Sequence, residues 1–120
     1  MEFLGEGAFG KVYKLEENGQ KFAIKKILNH DPTASREIEL LKTVDHKFII
    51  KYHRSYQEGP HLCIVLEYAD EGTLTSLVAE QDKNPNTIWF TEWAVWRFLA
   101  HLSSAVSYLH GLQPNPILHR

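Results

Sequence analysis

The sequence predicts an α+β fold, in which an antiparallel sheet with one inserted helix precedes a mainly helical part. Two β-type runs, Lys11–Leu15 and Phe22–Ile27, flank a segment that contains Asn18-Gly19, the positive-φ pair that a tight hairpin turn requires. A long apolar periodicity from about Glu92 to His110 indicates a helix. The strands therefore come first and the longest helix comes last.

The first part of the chain contains one helix between two pairs of strands. Asp31-Pro32 predicts its start, because Asp is a favoured N-cap and Pro a favoured first helical residue. We expect this helix to end near Val44. Two further strand-like runs, Phe48–Tyr56 and Leu62–Tyr68, are joined at the turn residues Glu58-Gly59-Pro60.

The second part is predicted to be helical. Leu74–Ala79 is typical of a short helix, and Thr91 and Gly111 are suitable as N-cap and stop signal of the long one. Apolar residues recur in the long helix at steps of three and four. They predict one apolar face, formed by Val95, Phe98, Leu99, Leu102, Ala105, Val106 and Leu109.

Composition bounds the function. A chain of 120 residues with 43% hydrophobic residues and a net charge of −2 is one small globular domain without the cationic surface that nucleic acid or an anionic membrane would need. The single cysteine, Cys63, excludes a disulfide framework, and the histidines lack metal-ligand spacing. No apolar run spans a bilayer, and no signal peptide is present. We expect an intracellular protein, in the cytoplasm or alternatively the nucleus.

The richest segment is Leu4-Gly5-Glu6-Gly7-Ala8-Phe9-Gly10-Lys11-Val12. Its glycines allow backbone N–H groups to approach an anion closely. A Walker A loop would need Ser or Thr at Val12, and a dinucleotide-binding loop would open a helix, whereas Val12–Leu15 is β-type. Two interpretations remain, the strand–glycine loop–strand device that covers ATP and a plain glycine-rich turn.

A lysine and a glutamate are candidates for one charged site. Strand alternation places Lys25 on the face of Ala23 and Lys26 on the opposite face. Glu37 flanks the apolar stripe of the following helix, where a carboxylate needs a cationic partner. Lys25 is the candidate partner, and the alternative is that Glu37 is simply exposed.

Together these segments resemble the protein kinase family, in the right order and almost from end to end. Within the family the chain is similar to the NIMA-related serine/threonine kinases. The interval from Lys25 to Glu37 is shorter than is usual there. The matching segments are Leu4–Val12 (glycine-rich loop), Ala23-Ile24-Lys25 (third-strand lysine motif), Thr33–Ile38 (C helix), Ile64–Ala69 (fifth strand and hinge) and Leu118-His119-Arg120 (opening of the catalytic loop).

The resemblance implies a kinase small lobe and hinge at residues 1–69 and the start of the helical large lobe at residues 70–120. It implies transfer of the γ-phosphoryl group of ATP to Ser or Thr of a protein substrate, with Mg²⁺ as cofactor. The sequence stops at Arg120, before the catalytic Asp and the metal ligands of the family. We therefore expect no transfer by this chain alone. The alternative is a non-catalytic, truncated or pseudokinase-like module that binds nucleotide or a partner.

The resemblance also implies individual roles. The loop Leu4–Val12 would cover the phosphates through its glycines, with Phe9 at the tip, and Leu41, Tyr52 and His119 would belong to a hydrophobic column. The remaining roles are adenine packing by Val12 and Ala23, phosphate binding by Lys25 paired with Glu37, a gatekeeper at Leu66, and hinge contacts from the Glu67 carbonyl and the Ala69 N–H.

Overall fold

The structure, a computed structural model, describes residues 1–8, 10–29, 32–84, 86 and 90–112, without the side chain of Thr33. These residues belong to two compact units, one comprising Met1–Asp45 and Ile49–Ala69 and the other His46–Phe48 and Asp70–Arg120. No helix in the described part is long and apolar enough to cross a membrane. In chain order the elements are β1 (Glu2–Gly7), β2 (Gly10–Glu17), β3 (Gln20–Leu28), α1 (Pro32–Thr43), β4 (Tyr52–Glu58), β5 (His61–Glu67), α2 (Leu74–Lys83) and α3 (Glu92–His110).

The first unit is a five-stranded sheet in the order β1-β2-β3-β5-β4, with antiparallel neighbours throughout. The predicted hairpin between β2 and β3 is confirmed. Asn18 (φ 53°) and Gly19 (φ 76°) both adopt the positive φ that this two-residue turn demands. The turn fixes the register that pairs Val12 with Lys25 and Lys14 with Ala23.

Each face of the sheet carries its own apolar cluster. Phe22, Ile24, Cys63 and Val65 form one cluster, against which Leu15 and Tyr56 pack. Ile27 and Ile64 form the other with Ala34 and Ile38 of α1. Because side chains alternate along a strand, β3 supplies both clusters, which makes it the central element of the unit. Cys63 is fully buried, and burial raises the pKa of its thiol.

Helix α1 packs on the face of the sheet that carries Lys25. It begins at Pro32 and ends at Thr43, one residue before the predicted end; the predicted N-cap Asp31 lies outside the described residues. Ala34 and Ile38 are its buried residues, and the half-buried Leu41 joins the same cluster. One helical face therefore attaches α1 to β3 and β5.

The predicted strand from Phe48 to Tyr56 is wrong in its first half. Residues 47–49 form a turn and bend, and β4 begins only at Tyr52. The Phe48 ring stacks on His101 of α3 with ring centroids 3.8 Å apart, and its N–H donates to His46 Nδ1 at 3.1 Å. These contacts hold Phe48 in the second unit, so it does not extend the strand.

In the second unit, both helices begin at capping threonines. Thr73 and Ser76 form a reciprocal capping box, and α2 extends to Lys83, four residues beyond the predicted end. Helix α3 has the predicted bounds. The Thr91 hydroxyl accepts from the Ala94 N–H at 3.1 Å, and the Gly111 N–H closes the last turn on the Ser107 carbonyl.

The predicted apolar face of α3 is rotated in the structure. Three ring contacts among the described residues orient the helix. They are Phe48 with His101, His46 with Tyr108, and Phe90 with Phe98. Ala94 and Ala105 are buried on that side. Three members of the predicted face, Val95, Leu99 and Leu102, are instead exposed, together with Trp93 and Trp96.

We predict that this exposed ridge makes the 120-residue chain self-associate. Trp93, Trp96 and Leu102 are 68%, 64% and 63% exposed, and each apolar side chain of this size gains about 1.5–3 kcal/mol on full burial. The double variant Trp96→Gln/Leu102→Gln should be more monomeric in sedimentation velocity and as stable to urea as the wild type. The control Ala105→Gln, at a buried position, should lose stability. A concentration-independent monomer in the wild type would contradict the prediction.

Candidate functional site

Lys25 and Glu37 form the ion pair that the sequence predicted. Lys25 Nζ donates to Glu37 Oε1 at 2.7 Å, between β3 and α1. The Lys25 side chain is 19% exposed and that of Glu37 31% exposed, so the pair is better shielded from water than a surface ion pair. The carboxylate therefore fixes the ammonium in place on this face of the sheet.

The register places an apolar surface beside Lys25. Val12 is the cross-strand partner of Lys25 on β2, and Ala23 is the partner of Leu66 on β5. Paired residues share a face of the sheet, so Val12, Ala23, Lys25 and Leu66 lie together. This face is called the α1 face below.

The last residue of β5, Glu67, and the nearby Ala69 are the two predicted hinge residues. Glu67 is tied to the start of β4, because its N–H donates to the Lys51 carbonyl at 2.8 Å and its carboxylate accepts from the Lys51 N–H at 3.1 Å. Ala69 is exposed. Both residues follow Leu66 within three positions, where the chain leaves the α1 face.

The glycine-rich loop connects β1 and β2. At Gly5 and Gly7 a Cβ atom would meet nothing within 4 Å, whereas at Gly10, with φ +131°, it would clash with the Lys26 carbonyl oxygen. Gly10 is therefore required by the packing of β2 on β3. Gly5 and Gly7, in the second half of β1, leave open space beside the backbone, which would permit the close approach of an anion.

Not every predicted loop residue points its side chain to the α1 face. Lys11 pairs with Lys26, and it lines, with Glu6 and Ala8, a cavity of about 680 Å³ on the opposite face. Lys26 is held there by Glu58, whose carboxylate raises the pKa of the Lys26 ammonium. The prediction that Lys25 and Lys26 lie on opposite faces is thus confirmed.

Some predicted residues lie outside the described part of the chain. These are the loop-tip residue Phe9 and the segment Leu118-His119-Arg120. Leu41 and Tyr52, the other two residues of the predicted column, pack against the same buried cluster of the α1 face. Within the described residues no group of three or more His, Cys, Asp or Glu could hold a metal ion.

One charged residue of the α1 face escaped the sequence analysis. Lys14 is the cross-strand partner of Ala23. Its ammonium lies 3.4 Å from Glu2 Oε2 and 5.5 Å from the centre of the Tyr68 ring. The alternation of Val12 and Lys14 along β2 is the signal that would have placed it here.

Comparison with known proteins agrees with this geometry. The sequence pattern of the protein kinase domain matches residues 1–120. The chain belongs to the protein kinase family. It is similar to Cell division control protein 7 of Schizosaccharomyces pombe (36% identity over 98% of the chain), MAP3K epsilon protein kinase 1 of Arabidopsis thaliana (38% over 89%) and Serine/threonine-protein kinase 33 of Mus musculus (30% over 98%).

The chain spans 11%, 8% and 24% of the lengths of these three kinases, respectively. Its sheet with one helix and the helices that follow agree with the small lobe and the beginning of the large lobe of a protein kinase. The finer resemblance to NIMA-related kinases stays a prediction.

We predict that Gly10→Ala destabilises this kinase chain far more than Gly7→Ala. The Gly10 variant combines positive φ with a backbone clash and should cost about 1–3 kcal/mol of unfolding free energy. The Gly7 variant should stay within about 0.5 kcal/mol of the wild type, as at other unconstrained surface positions. Urea unfolding followed by circular dichroism measures both. Equal losses in the two variants would contradict the assignment of Gly10 as the packing glycine.

Proposed function

We propose that the α1 face of the sheet binds ATP and that the chain is the nucleotide-binding part of a serine/threonine protein kinase acting on protein substrates. The observation that carries the proposal is the Lys25–Glu37 pair at 2.7 Å, on the face shared with Val12, Ala23 and Leu66. A cation that is half-buried beside apolar residues suits a ligand that has both a flat apolar ring and phosphates.

The pair supports a specific role for Lys25. Its ammonium has three donor hydrogens, and Glu37 Oε1 takes one of them. The ammonium could also donate to oxygens of the α- and β-phosphates, with Glu37 preventing the flexible side chain from moving away. Positioning of this kind is the main contribution of the protein to phosphoryl transfer.

The other roles follow from the same face. Val12 and Ala23, which share the α1 face, would pack against one side of the adenine ring, and the backbone of Glu67 and Ala69 would meet its polar edge. The backbone around Gly5 and Gly7, where β1 ends, would bring N–H groups to the phosphates. Mg²⁺, when bound with ATP in this family, neutralises phosphate charge, and we place no ligand for it among these 120 residues.

The reaction that we propose for the parent kinase is the attack of a substrate Ser or Thr hydroxyl oxygen on the γ-phosphorus. The bond from this phosphorus to the bridging oxygen breaks, ADP leaves, and the hydroxyl proton passes to a base. We also propose a cytoplasmic or nuclear location, which the single cysteine supports.

We predict that nucleotide binding depends on Lys25 and not on its neighbour Lys26. Lys25→Met should weaken ATP binding by about ten- to a hundredfold, because hydrogen bonds to charged groups contribute ~1.5–3 kcal/mol. Lys26→Met removes the same charge from the opposite face and should change the affinity less than about twofold. Equilibrium dialysis with labelled ATP measures both variants. Equal losses in the two variants, or no ATP binding by the wild type, would overturn the proposed site.

We predict further that the 120-residue chain does not transfer phosphate. Lys25 and Glu37 can position phosphates, but positioning without a base and metal ligands leaves the site incomplete. Incubation with γ-labelled ATP, Mg²⁺ and a generic protein substrate should give background incorporation only. Incorporation above background that is lost in Lys25→Met would show that these residues suffice.

A further inference from the structure

The hinge end of the α1 face carries a cluster of three side chains from three segments. Lys14 lies on β2, Glu2 on β1, and Tyr68 two residues after Leu66. The Lys14 ammonium is 5.5 Å from the centre of the Tyr68 ring and 3.4 Å from Glu2 Oε2. The first distance lies within the range of a cation–π contact.

The register explains why these residues meet. Glu2, Lys14, Ala23 and Leu66 are successive cross-strand partners on β1, β2, β3 and β5. Partners share a face, so Lys14 is beside the residue proposed to contact adenine. Tyr68 comes two residues after Leu66, just past the end of β5, so the strand alternation places it on the same face.

Burial shows that Lys14 packs along the sheet. The Lys14 side chain is only 25% exposed. It lies on the same face of β2 as the half-buried Val12, two residues earlier. Its methylene stem therefore covers sheet surface while its ammonium reaches the ring. The exposed carboxylate of Glu2 contributes little by itself, since surface ion pairs are weak.

We infer that Lys14, through its contact with Tyr68, is a positioning residue that sets the affinity of the site for the base and sugar end of the nucleotide. Tyr68 lies between Glu67 and Ala69, whose backbone groups are proposed to meet adenine. The contact holds this segment against β2, and thus against Val12 on the same strand. This inference rests on the proposed function and adds a determinant that is separate from Lys25.

The two determinants differ in which part of the ligand they affect. Lys25 acts on phosphates, so its loss should weaken ATP binding and leave adenosine binding unchanged. Lys14 acts on the hinge segment, so its loss should weaken adenosine and ATP binding by the same factor. A factor of about two- to fivefold is expected for an exposed cation–π contact.

The test is equilibrium dialysis of labelled adenosine and labelled ATP with the 120-residue chain and its variants. Lys14→Met and Tyr68→Leu should each weaken both ligands equally, and the double variant should be no weaker than either single one. Lys14→Arg and Tyr68→Phe keep a cation and a ring, so they should restore wild-type affinity. The control Lys21→Met removes an exposed lysine one row farther along the same face and should have no effect.

The outcomes separate this inference from the proposed function. If the wild type binds adenosine and Lys14→Met binds it equally well, or if the two losses add, the inference is overturned while the proposed function stands. If Lys14→Arg fails to restore binding, a role through the aromatic ring is excluded. If the wild type binds neither ligand, the proposed function fails first. Thermal unfolding of each variant identifies any loss of affinity that comes from loss of fold.

Discussion

The ion pair between Lys25 and Glu37 is the constraint on which the rest of the first unit depends. A half-buried ammonium is costly unless a carboxylate meets it, and the two residues come from a strand and a helix. The helix must therefore be held at a fixed rotation and height on the sheet. Ala34, one turn before Glu37, and Ile38, directly after it, provide this by packing on Ile27 and Ile64. Apolar packing thus positions the charge, and the charge in turn specifies which helical rotation is compatible with the fold.

Strand β3 makes this arrangement possible because each of its two faces packs into a different apolar cluster and carries a different lysine. Ile24 is fully buried in one cluster and Ile27 nearly so in the other, while Lys25 and Lys26 between them point to opposite sides. Each lysine has its own carboxylate, Glu37 from the helix for the first and Glu58 from β4 for the second. A shift of one residue in register would exchange the two lysines and expose both clusters. The turn at Asn18-Gly19 excludes that shift through its fixed length and positive φ values.

Local signals in the sequence were sufficient for most elements, and long-range contacts decided the rest. The bounds of α3 follow from its caps, and the hairpin follows from two turn residues, so both could be predicted. The pairing of Lys25 with Glu37 could be predicted because a carboxylate beside the apolar stripe of the helix needs a cationic partner, and Lys25 was the candidate on the strand before it. The turn at Phe48 and the rotation of α3 could not, because both depend on ring stacking between residues that are 53 positions apart, Phe48 and His101. Lys14 was missed because its partner Tyr68 lies three strands away in the chain.

The two lysines of the α1 face, Lys25 and Lys14, are held in place with different strength. At the end proposed to bind phosphates, Lys25 is fixed by a 2.7 Å charged hydrogen bond, by strand pairing on both sides and by partial burial. At the end proposed to bind the base, Lys14 is held by a ring at 5.5 Å and an exposed carboxylate at 3.4 Å, contacts that are individually weak. If the proposed function holds, preorganisation favours the phosphates, for which a misplaced charge costs most, whereas the end proposed for the base can adjust. Within one sheet, the same alternation thus yields a firmly held cation at Lys25 and a more weakly held one at Lys14.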